Sequence, residues 1–474
     1  MLTLFITIRL MERTLVLDSV KKVGETVLLK GWVRVRRDHG KIIFLDLWDM
    51  SGLIQVVITP NVSEEAYKNA QDLRSEYVVE IVGKVNARPE NAVKKDFPTG
   101  TVEIEATEVK ILNTSEVPPF DLTTDGLEIG EDHRLKYRYL DLRRDRMQNN
   151  IRTRHKVIKL IRDYLDKDEF TEIETPVLTK STPEGARDYV VPSRVEKGRF
   201  YALPQSPQQY KQLLMVAGIE KYFQIVKCFR DEDTRSDRQP EFTQLDLEMS
   251  FVEREDVMAL NEKLLIHLIK ILFPQKKIQE EPFPRITYKT AMEKYKTDRP
   301  DLRSDKNDPN LLAFAWVIDF PFFEKTDEGG WTFTHNPFSA PRPENMEMLM
   351  NKKDIPEIIT SQYDIVLNGF EIGGGSIRNH KAEALRKVFE IMGYPDNQIE
   401  NNFGHMLKAL SFGAPPHGGI AWGLDRLITV LQREASIREV IAFAKTGEGR
   451  DLMMDAPSEI SQKQLQELEI KLGK

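Results

Sequence analysis

The segment Tyr222–Phe251, YFQIVKCFRDEDTRSDRQPEFTQLDLEMSF, predicts two β-strands joined by a loop crowded with charge. Its second half alternates Leu245 and Leu247 with acidic residues, which is the period-two pattern of a half-buried strand. Arginines and carboxylates fixed on a loop between two antiparallel strands can bind a polyphosphate together with its metal ion. A solvated hairpin loop is the more common interpretation of such a charge run. The choice between these interpretations depends on the rest of the chain.

The composition of the 474-residue chain is typical of a globular protein with more than one domain. At this length a single hydrophobic core is not expected, and two or three domains are predicted. The net charge of −7 means that any contact with nucleic acid must come from local basic patches. Cys228 is the only cysteine, which excludes an intrachain disulfide and a Cys-rich zinc site. A cytoplasmic location is expected, and no apolar run is long enough to predict a membrane partner.

The N-terminal part of the chain predicts a short leader followed by a β-barrel. Residues 1–11 include an apolar run that is too short for a signal peptide and lacks a cleavage site, so we interpret them as an extra leader. Residues 12–115 contain five short strand patterns, with a polar helical pattern between the third and the fourth. This spacing predicts a five-stranded OB barrel.

The predicted barrel carries residues that suit single-stranded nucleic acid. Such barrels stack bases on exposed aromatic side chains that lie beside basic residues. Arg36, Arg37, Phe44 and Gln55 lie where this surface is expected. A place in the barrel core is the alternative interpretation of Phe44.

A proline-broken linker and a basic segment follow the barrel, and residues 116–150 are predicted to form a hinge. The segment 133–166 is predicted to be helical and carries many Arg and Lys residues beside an apolar face. This run suits contact with a phosphate backbone, or it forms a solvated helix face, and the pattern leaves both open. Residues 151–474 show no regular alternation of strands and helices. We therefore predict an α+β domain built on an antiparallel sheet.

The usual phosphate-binding motifs are absent, since the chain has no P-loop and its GGGS segment does not open a helix. Phosphate must therefore be bound by side chains, for which Arg230, Glu232 and Arg426 are the candidates. Asp364 and Glu371 lie seven residues apart on a predicted strand. With one irregularity in register, both could coordinate Mg²⁺.

Several motifs resemble those of the class II aminoacyl-tRNA synthetases. FRDE at Phe229–Glu232 resembles motif 2 of that class, GGIAWGLDRL around Arg426 resembles motif 3, and the strand at Pro176 resembles motif 1. The segments TPEGARDY, LPQSPQQYKQLLM, RQPEFTQLDLE and NGFEIGGGSIR resemble the bacterial aspartyl-tRNA synthetases. The resemblance covers nearly the whole chain from Met11 onward. It implies an anticodon-binding OB domain, a hinge, and a class II catalytic domain, residues 151–474, that forms homodimers through motif 1.

The resemblance also implies roles for individual residues, carried over position by position. ATP binding is implied for Arg230, Asp231, Glu232, Glu371, Gly423, Leu424, Asp425 and Arg426, of which Arg230 and Arg426 would also be catalytic. Aspartate binding is implied for Glu184, Ser206, Gln208, Lys211, Arg230, Asp246, His335 and Arg378. Asp364 and Glu371 would hold Mg²⁺, and Arg36, Arg37, Phe44 and Gln55 would contact the tRNA anticodon.

These roles imply ATP-dependent attachment of L-aspartate to tRNA through an aspartyl-adenylate. Lys211 and Arg378 suit a short dicarboxylate, and an amide substrate would leave buried cationic charge uncompensated at a cost of several kcal/mol. Aspartate is therefore expected over asparagine. An asparaginyl-tRNA synthetase is one rival interpretation. A non-catalytic tRNA-binding paralogue is another, although such a protein would usually lack the motif arginines or the barrel.

Two features depart from the bacterial pattern. The stretch between Glu248 and Gly369 is short by roughly one small domain, so the usual insertion domain is predicted to be reduced or absent around residues 285–312. Asn336 stands where many relatives have a second histidine after His335.

His39 and Asn91 bear on the choice of tRNA. Enzymes that charge only tRNA-Asp commonly have leucine at the His39 position, whereas relatives that also charge tRNA-Asn commonly have histidine. Asn91 lies at a second linked site where glycine is usual, so the two markers agree only in part. We expect both tRNA-Asp and tRNA-Asn as substrates. A turn role for His39, with strict specificity for tRNA-Asp, is the alternative.

Overall fold

The computed structural model describes residues 11–181 and 185–473, which form two compact units with a boundary between Ile129 and Gly130. Within the described residues no helix combines the length and the apolar character that a membrane crossing requires. The predicted hinge of residues 116–150 is thus divided between the two units.

The first unit is a closed five-stranded barrel, and the predicted OB fold is confirmed. The strands join in the order β1-β2-β3-β5-β4, and the β3·β5 pair is parallel. Along β2 the buried residues Ile43, Leu45 and Leu47 alternate with half-buried ones, because successive side chains of a strand point to opposite faces. Its elements are β1 (Thr26–His39), β2 (Ile42–Asp49), β3 (Gly52–Ile58), α1 (Glu64–Gln71), β4 (Val78–Ala87) and β5 (Val102–Asn113).

The second unit contains the remaining strands and helices. The strands are β6 (Thr171–Glu172), β7 (Val190–Pro192), β8 (Phe200–Ala202), β9 (Lys221–Phe229), β10 (Glu241–Ser250), β11 (Lys277–Ile278), β12 (Arg285–Thr287), β13 (Leu311–Leu312), β14 (Phe314–Ile318), β15 (Phe323–Lys325), β16 (Trp331–Phe333), β17 (Gln362–Leu367), β18 (Phe370–Ile377) and β19 (His417–Gly423). The helices are α2 (Glu131–Lys136), α3 (Arg138–Asp141), α4 (Asp145–Lys167), α5 (Gln208–Val216), α6 (Arg254–Leu272), α7 (Tyr288–Tyr295), α8 (Met346–Asn351), α9 (Ala382–Ile391), α10 (Asp396–Leu410), α11 (Leu424–Gln432) and α12 (Gln462–Leu468).

The frame of the second unit is an eight-stranded sheet in the order β12-β14-β17-β18-β19-β10-β9-β6. The two edge pairs, β12·β14 and β9·β6, are parallel, and the pairs between them are antiparallel. The predicted α+β fold on an antiparallel sheet is therefore confirmed for the central strands. Apolar faces of α4 and α6 cover this sheet, and Ile161, Leu265 and Leu268 pack in one core with Leu245 and Leu247 of β10.

Part of the basic segment after the first unit is buried, although Arg152, Lys156 and Arg162 of the same segment are exposed. Arg134, Arg138 and Arg144 are buried, and all three donate to the carboxylate of Asp141 at 3.2, 2.9 and 2.8 Å. Arg134 also donates to Glu439 at 2.8 Å, across 305 residues of sequence. Both the phosphate-contact and the solvated-face interpretations are therefore wrong for these three arginines. Their charge instead joins α2 and α3 to the C-terminal part of the unit.

Glu439 should make a pH-dependent contribution to stability. Burial would raise the pKa of Glu439, but the hydrogen bond and charge of Arg134, with the charges of Arg146 and Arg138, lower it to about 2. We expect Glu439→Gln to remove about 3 kcal/mol of unfolding free energy near neutral pH. Because the folded-state pKa lies below the ordinary value of 4.5, this stabilisation is full above pH 4.5 and is lost as the pH falls toward 2.

Urea unfolding of both proteins across the acidic range measures this effect. Glu344→Gln is the control, because the Glu344 side chain is 62% exposed in its ion pair with Arg342. A stability difference between wild type and Glu439→Gln that does not change with pH would contradict the assignment.

Candidate active site

The charged hairpin between β9 and β10 holds Arg230 at the end of the central sheet. Phe229 pairs with Glu241, and the backbone N–H of Arg230 donates to the carbonyl of Pro240 at 2.9 Å. The Arg230 guanidinium lies over the ring of Phe242, 5.1 Å from its centre. The two strands thus fix the position of this guanidinium, which a merely solvated loop would not do.

The loop also reaches the segment that contains Arg426. Asp237 of the loop lies 3.4 Å from the Arg426 guanidinium, and Glu232 accepts a hydrogen bond from Arg238 at 3.4 Å. Asp231 is half-buried and lies 3.7 Å from Arg187. The two arginines predicted to bind phosphate therefore belong to one connected region.

The Arg426 side chain has one buried hydrogen-bond donor that is not satisfied by the described residues. Its guanidinium donates to the backbone carbonyl of Glu371, which ties α11 to β18. Its Nε is buried and has no hydrogen-bond partner among the described residues. A buried donor without an acceptor is costly, so this atom suits an anionic ligand such as a phosphate oxygen.

The residues just before Arg426 face the protein interior. Gly423 ends β19, and Leu424, the first residue of α11, is fully buried. The Asp425 carboxylate accepts from the backbone N–H of Thr243 at 2.8 Å and from Arg154. The side chains of Leu424 and Asp425 therefore fix the strand-to-helix junction that positions Arg426.

Asp364 and Glu371 lie close together on neighbouring strands. The β17·β18 pairing contains an irregularity between Ile365 and Val366, so the register break that their spacing requires is present. Burial and the negative charge of Glu371 raise the pKa of Asp364 well above its usual value. Gly374 lies opposite Asp364, and a Cβ there would come within 2.7 Å of the Asp364 carboxylate.

This pair fits a magnesium site of the kind that phosphate ligands complete. Mg²⁺ is commonly held by one or two carboxylates together with substrate phosphates and water. Among the described residues, no group of three His, Cys, Asp or Glu side chains is arranged to hold a metal ion. A divalent cation would relieve the repulsion between the two carboxylates.

His335 lies beside this carboxylate pair. Its Nδ1 is 4.0 Å from an Asp364 oxygen, and its ring packs edge-on against Phe320 at 4.5 Å. Burial lowers the pKa of His335, although the charge of Glu371 opposes this effect. Glu184 lies outside the described residues.

A buried ionic cluster occupies the predicted amino-acid pocket. Lys211 Nζ lies 2.7 Å from Asp246 and 3.2 Å from Glu248, and Arg378 contacts Glu248 through two hydrogen bonds of 2.8 and 3.1 Å. All four side chains are at most 3% exposed. Burial would raise the pKa of Glu248, but the charges of Arg378 and Lys211 lower it. We name these four residues the ionic quartet.

The ionic quartet bears on the charge argument for aspartate, and it adds Glu248 to the residues of the candidate site. Its two cations are already paired with Asp246 and Glu248, so an amide substrate would not leave them uncompensated, and the charge argument for aspartate fails although aspartate itself remains the expected amino acid. Glu248 was not predicted as a site residue. The signal was present, because Asp246 and Glu248 are two apart on one strand and therefore share a face.

A chain of hydrogen-bonded buried side chains lies near the quartet, since the charge of Glu248 acts on His417. Gln208, which is buried, donates to Gln212 at 3.0 Å, and Gln212 lies 3.1 Å from His417 Nε2. His417 Nδ1 lies 2.7 Å from the Pro415 carbonyl and therefore donates to it, which leaves Nε2 to accept from Gln212. Burial lowers the pKa of His417, which agrees with a neutral ring.

Ser206 lies in the loop that precedes α5. It lines a cavity together with Gln205 and Gln209, and His405 of α10 forms part of the same wall. Gln209 and His405 are hydrogen-bonded at 2.6 Å.

Three of the four predicted anticodon residues share an outer face of the barrel. Arg37 pairs with Phe44 across β1 and β2, and Gln55 of β3 pairs with Asp46, which binds Arg37 at 2.7 and 2.8 Å. Phe44 is half-buried on this face, so its interpretation as a core residue is wrong. Arg36 points elsewhere and donates to the carbonyl of Ala70 on α1.

The two residues linked to tRNA choice are both exposed. The ring of His39 packs edge-on against Phe44, with 5.6 Å between the ring centres, so it adjoins the face just described. Asn91 lies in a single 3₁₀ turn, Glu90–Ala92.

Two protein-family models match the chain, one in each unit. Residues 130–447 match the tRNA synthetases class II (D, K and N), and residues 27–112 match the OB-fold nucleic acid binding domain.

Curated relatives match over nearly their whole length. The aspartate--tRNA ligase of Macrococcus caseolyticus is 41% identical, with 95% of this chain and 96% of that protein covered. The aspartate--tRNA(Asp/Asn) ligase of Halothermothrix orenii is 40% identical, with coverage of 96% and 97%. The first alignment spans 577 positions, so the relative has segments without a counterpart in these 474 residues.

Solved structures show the same fold at lower identity. The asparaginyl-tRNA synthetase of Pyrococcus horikoshii with asparaginyl-adenylate gives a TM-score of 0.74 at 22% identity, covering 92% of this chain and 98% of that one. A putative aspartyl-tRNA synthetase of Leishmania major gives 0.74 at 19% identity, with coverage of 92% and 94%.

Glu248 should be essential to the stability of this site. We expect Glu248→Gln to lower the free energy of unfolding by about 3 kcal/mol, because removing one member of a buried ion pair leaves its partners uncompensated. Glu241→Gln on the same strand should change it by less than about 0.5 kcal/mol, since exposed ion pairs contribute little. Denaturant unfolding at neutral pH measures both. Equal losses in the two variants would refute the role given to the quartet.

Proposed function

The chain belongs to the class II tRNA synthetases of the D, K and N group, and we propose that it attaches L-aspartate to tRNA in an ATP-dependent reaction through an aspartyl-adenylate. The arrangement that carries this proposal is the meeting of Arg230, Arg426 and the Asp364–Glu371 pair with the ionic quartet at the sheet. The aspartate--tRNA ligases at 40 to 41% identity support it.

ATP would bind between the two motif arginines. Arg230 is held above Phe242, and Arg426 offers its buried Nε to a phosphate oxygen. The substrate carboxylate attacks the α-phosphorus in line, the bond to the leaving oxygen breaks, and pyrophosphate departs. Preorganised guanidiniums stabilise the charge that develops on the phosphate oxygens.

The remaining ATP residues would act around this pair. Asp364 and Glu371 would hold Mg²⁺, which neutralises phosphate charge when it is bound. Glu232 and Asp231 lie on the same hairpin loop, while Gly423, Leu424 and Asp425 place Arg426 at the start of α11.

Aspartate would bind at the ionic quartet. Asp246 has a buried oxygen without a hydrogen-bond partner among the described residues, which can accept from the substrate ammonium. Arg378 would pair with the substrate side-chain carboxylate, and Lys211, Gln208, Ser206 and His335 would complete the pocket. A role in aspartate binding is also proposed for Glu184, from the resemblance alone.

Selection against asparagine would follow from the direction of hydrogen bonds. Lys211 and Arg378 can only donate hydrogen bonds, and a carboxylate can only accept them. An amide places an NH₂ donor against one of these donors, and this arrangement leaves polar groups unsatisfied.

The second step and the assembly complete the proposal. The 3′-hydroxyl of the terminal tRNA adenosine attacks the mixed anhydride and releases AMP.

A homodimer through the segment around Pro176 is supported by the exposed apolar side chains of Val177, Leu178 and Phe200. The barrel face of Arg37, Phe44 and Gln55 would receive the anticodon, whereas Arg36 is bonded to Ala70 and lies off this face.

We propose that the insertion domain is reduced or absent around residues 285–312. The aligned relatives have more positions than this chain, which supports a deletion. In this chain the interval contains β12, α7 and a loop that leads to β13.

Both tRNA-Asp and tRNA-Asn are proposed as substrates, with His39 and Asn91 as determinants. The ring of His39 packs against Phe44, which supports a role for His39 in contacting an anticodon base. Strict specificity for tRNA-Asp is the alternative. An aspartate--tRNA ligase and an aspartate--tRNA(Asp/Asn) ligase are similar to this chain at nearly equal identity.

Charging of the two purified tRNA transcripts with aspartate tests the substrate choice. We expect the wild type to aspartylate both. His39→Leu should lower the efficiency on tRNA-Asn by about tenfold, the size of one lost base contact, while tRNA-Asp changes little. Negligible charging of tRNA-Asn by the wild type would establish strict specificity. Pyrophosphate exchange that depends on asparagine instead of aspartate would favour the asparaginyl alternative.

Arg230→Ala tests the chemical step. We expect aspartate-dependent pyrophosphate exchange to fall by about 10²- to 10³-fold, because one preorganised donor to the developing charge is lost. Lys227→Ala on β9 is the control, since Lys227 is exposed and pairs with Glu241. Exchange that is undiminished in Arg230→Ala would overturn the catalytic assignment and favour another phosphate ligand.

A further inference from the structure

A basic cavity of about 280 Å³ adjoins the candidate active site. This volume is close to the lower limit of about 300 Å³ for small-ligand sites. Its walls come from the loop before β13, the end of α11 and the hairpin loop after β9, and Arg426 lines it. Arg426 is the only lining residue to which the proposed reaction assigns a role.

Cations outnumber carboxylates in the lining. Five cationic side chains face the cavity, against the carboxylates of Asp237 and Glu434. Both carboxylates are already paired, Asp237 with Arg426 and Arg299, and Glu434 with Arg146. The surplus positive charge is therefore not balanced locally.

Three of these cations have no carboxylate within ion-pair distance among the residues that the structure describes. They are Lys276, Lys306 and Arg433. Lys276 is 9% exposed and donates to the carbonyl of Pro309 at 3.3 Å. Burial and the neighbouring charge of Arg433 lower the pKa of Lys276. Of these three side chains only Lys276 is buried, whereas Lys306 and Arg433 are exposed, and a bound anion would offset the cost of keeping the Lys276 ammonium charged beside Arg433.

The loop that carries Lys306 is fixed in place. Arg303 binds Asp301 at 3.0 and 2.8 Å and donates to the Lys306 carbonyl at 3.2 Å. Gln279 bonds the same loop twice, donating to the Leu302 carbonyl and accepting from the Ser304 N–H. The tethers fix the backbone that carries the exposed Lys306 side chain, so less chain ordering is needed for this cation to meet an anion.

We propose that Lys276, Lys306, Arg433 and Arg426 form a second phosphate-binding site next to the catalytic arginines. The proposal rests on the proposed function for the origin of its ligand, which is either the pyrophosphate released by adenylation or a backbone phosphate of bound tRNA. Both ligands present the same chemistry to the cavity, an anion with several acceptor oxygens.

The double variant Lys306→Glu/Arg433→Glu tests this site in the full-length protein. Two probes are used, inorganic pyrophosphate by calorimetry and a tRNA-Asp transcript by filter binding. We expect the dissociation constant of one probe to rise by at least about tenfold, since each lost charge-assisted contact is worth that much or more. Pyrophosphate bound at Arg230 is common to all variants, so the difference between variants reports on the cavity.

The pyrophosphate and tRNA measurements together identify the source of the phosphate. Weaker pyrophosphate binding with unchanged tRNA binding assigns the site to the product. Weaker tRNA binding, with a smaller salt dependence, assigns it to the nucleic acid backbone. Lys289→Glu, an exposed charge reversal on α7, should leave both constants unchanged. Unchanged binding of both probes in the double variant would overturn the proposal.

Two controls keep the result interpretable. If the double reversal lowers the melting temperature, Lys306→Ala/Arg433→Ala replaces it, and a rise of about threefold in one constant is then expected. Binding is measured without turnover. Absence of aspartate charging by the wild type would therefore refute the proposed function, while the two titrations would still decide whether the cavity binds phosphate.

Discussion

The buried pairing of Lys211, Asp246, Glu248 and Arg378 is the constraint on which the second unit depends. Charges removed from water are tolerated only when they are paired closely and hydrogen-bonded. Asp246 and Glu248 project from one face of β10, so a slip of one residue would turn both to the other face. Gly419 of β19 makes the packing possible, because a Cβ there would come within 2.1 Å of the Glu248 carboxylate. Charge pairing and strand register therefore fix each other.

Charges are balanced in number at one part of the site and unbalanced at another. The quartet pairs two cations with two carboxylates, although one buried oxygen of Asp246 keeps no hydrogen-bond partner among the described residues. Asp364 and Glu371 repel each other, and Arg426 keeps a buried donor without an acceptor. Unsatisfied groups of this kind cost folding free energy, and they persist where a ligand supplies the missing charge or hydrogen bond. They thus lie where phosphate, a divalent cation and the substrate ammonium are proposed.

The sequence predicted those features that depend on local patterns. The barrel followed from five alternating strands, and the Asp364–Glu371 pair followed from a spacing that required one register break. The role of Arg134 could not be predicted, because its partner Glu439 lies 305 residues away and a basic helix face looks the same whether it is buried or solvated. The compensation of Lys211 and Arg378 was missed for a similar reason. Residue types suggested two cations for a substrate, but only the pairing of β10 with its neighbours brings Glu248 between them.

This pairing changes how substrate selection must be understood. Solved asparaginyl and aspartyl enzymes match the fold equally well at about one fifth identity, so the fold alone does not distinguish the two amino acids. A count of charges does not distinguish them either, because the cations are already neutralised. The remaining difference between the two amino acids is the direction of their hydrogen bonds, since a carboxylate only accepts and an amide NH₂ donates. Asp246 and Glu248 hold Lys211 and Arg378 in fixed orientations, and these side chains have no acceptor to turn toward an amide. In the proposed binding mode, the carboxylates that cancel the charge of the two cations would therefore also keep them from adapting to an amide substrate.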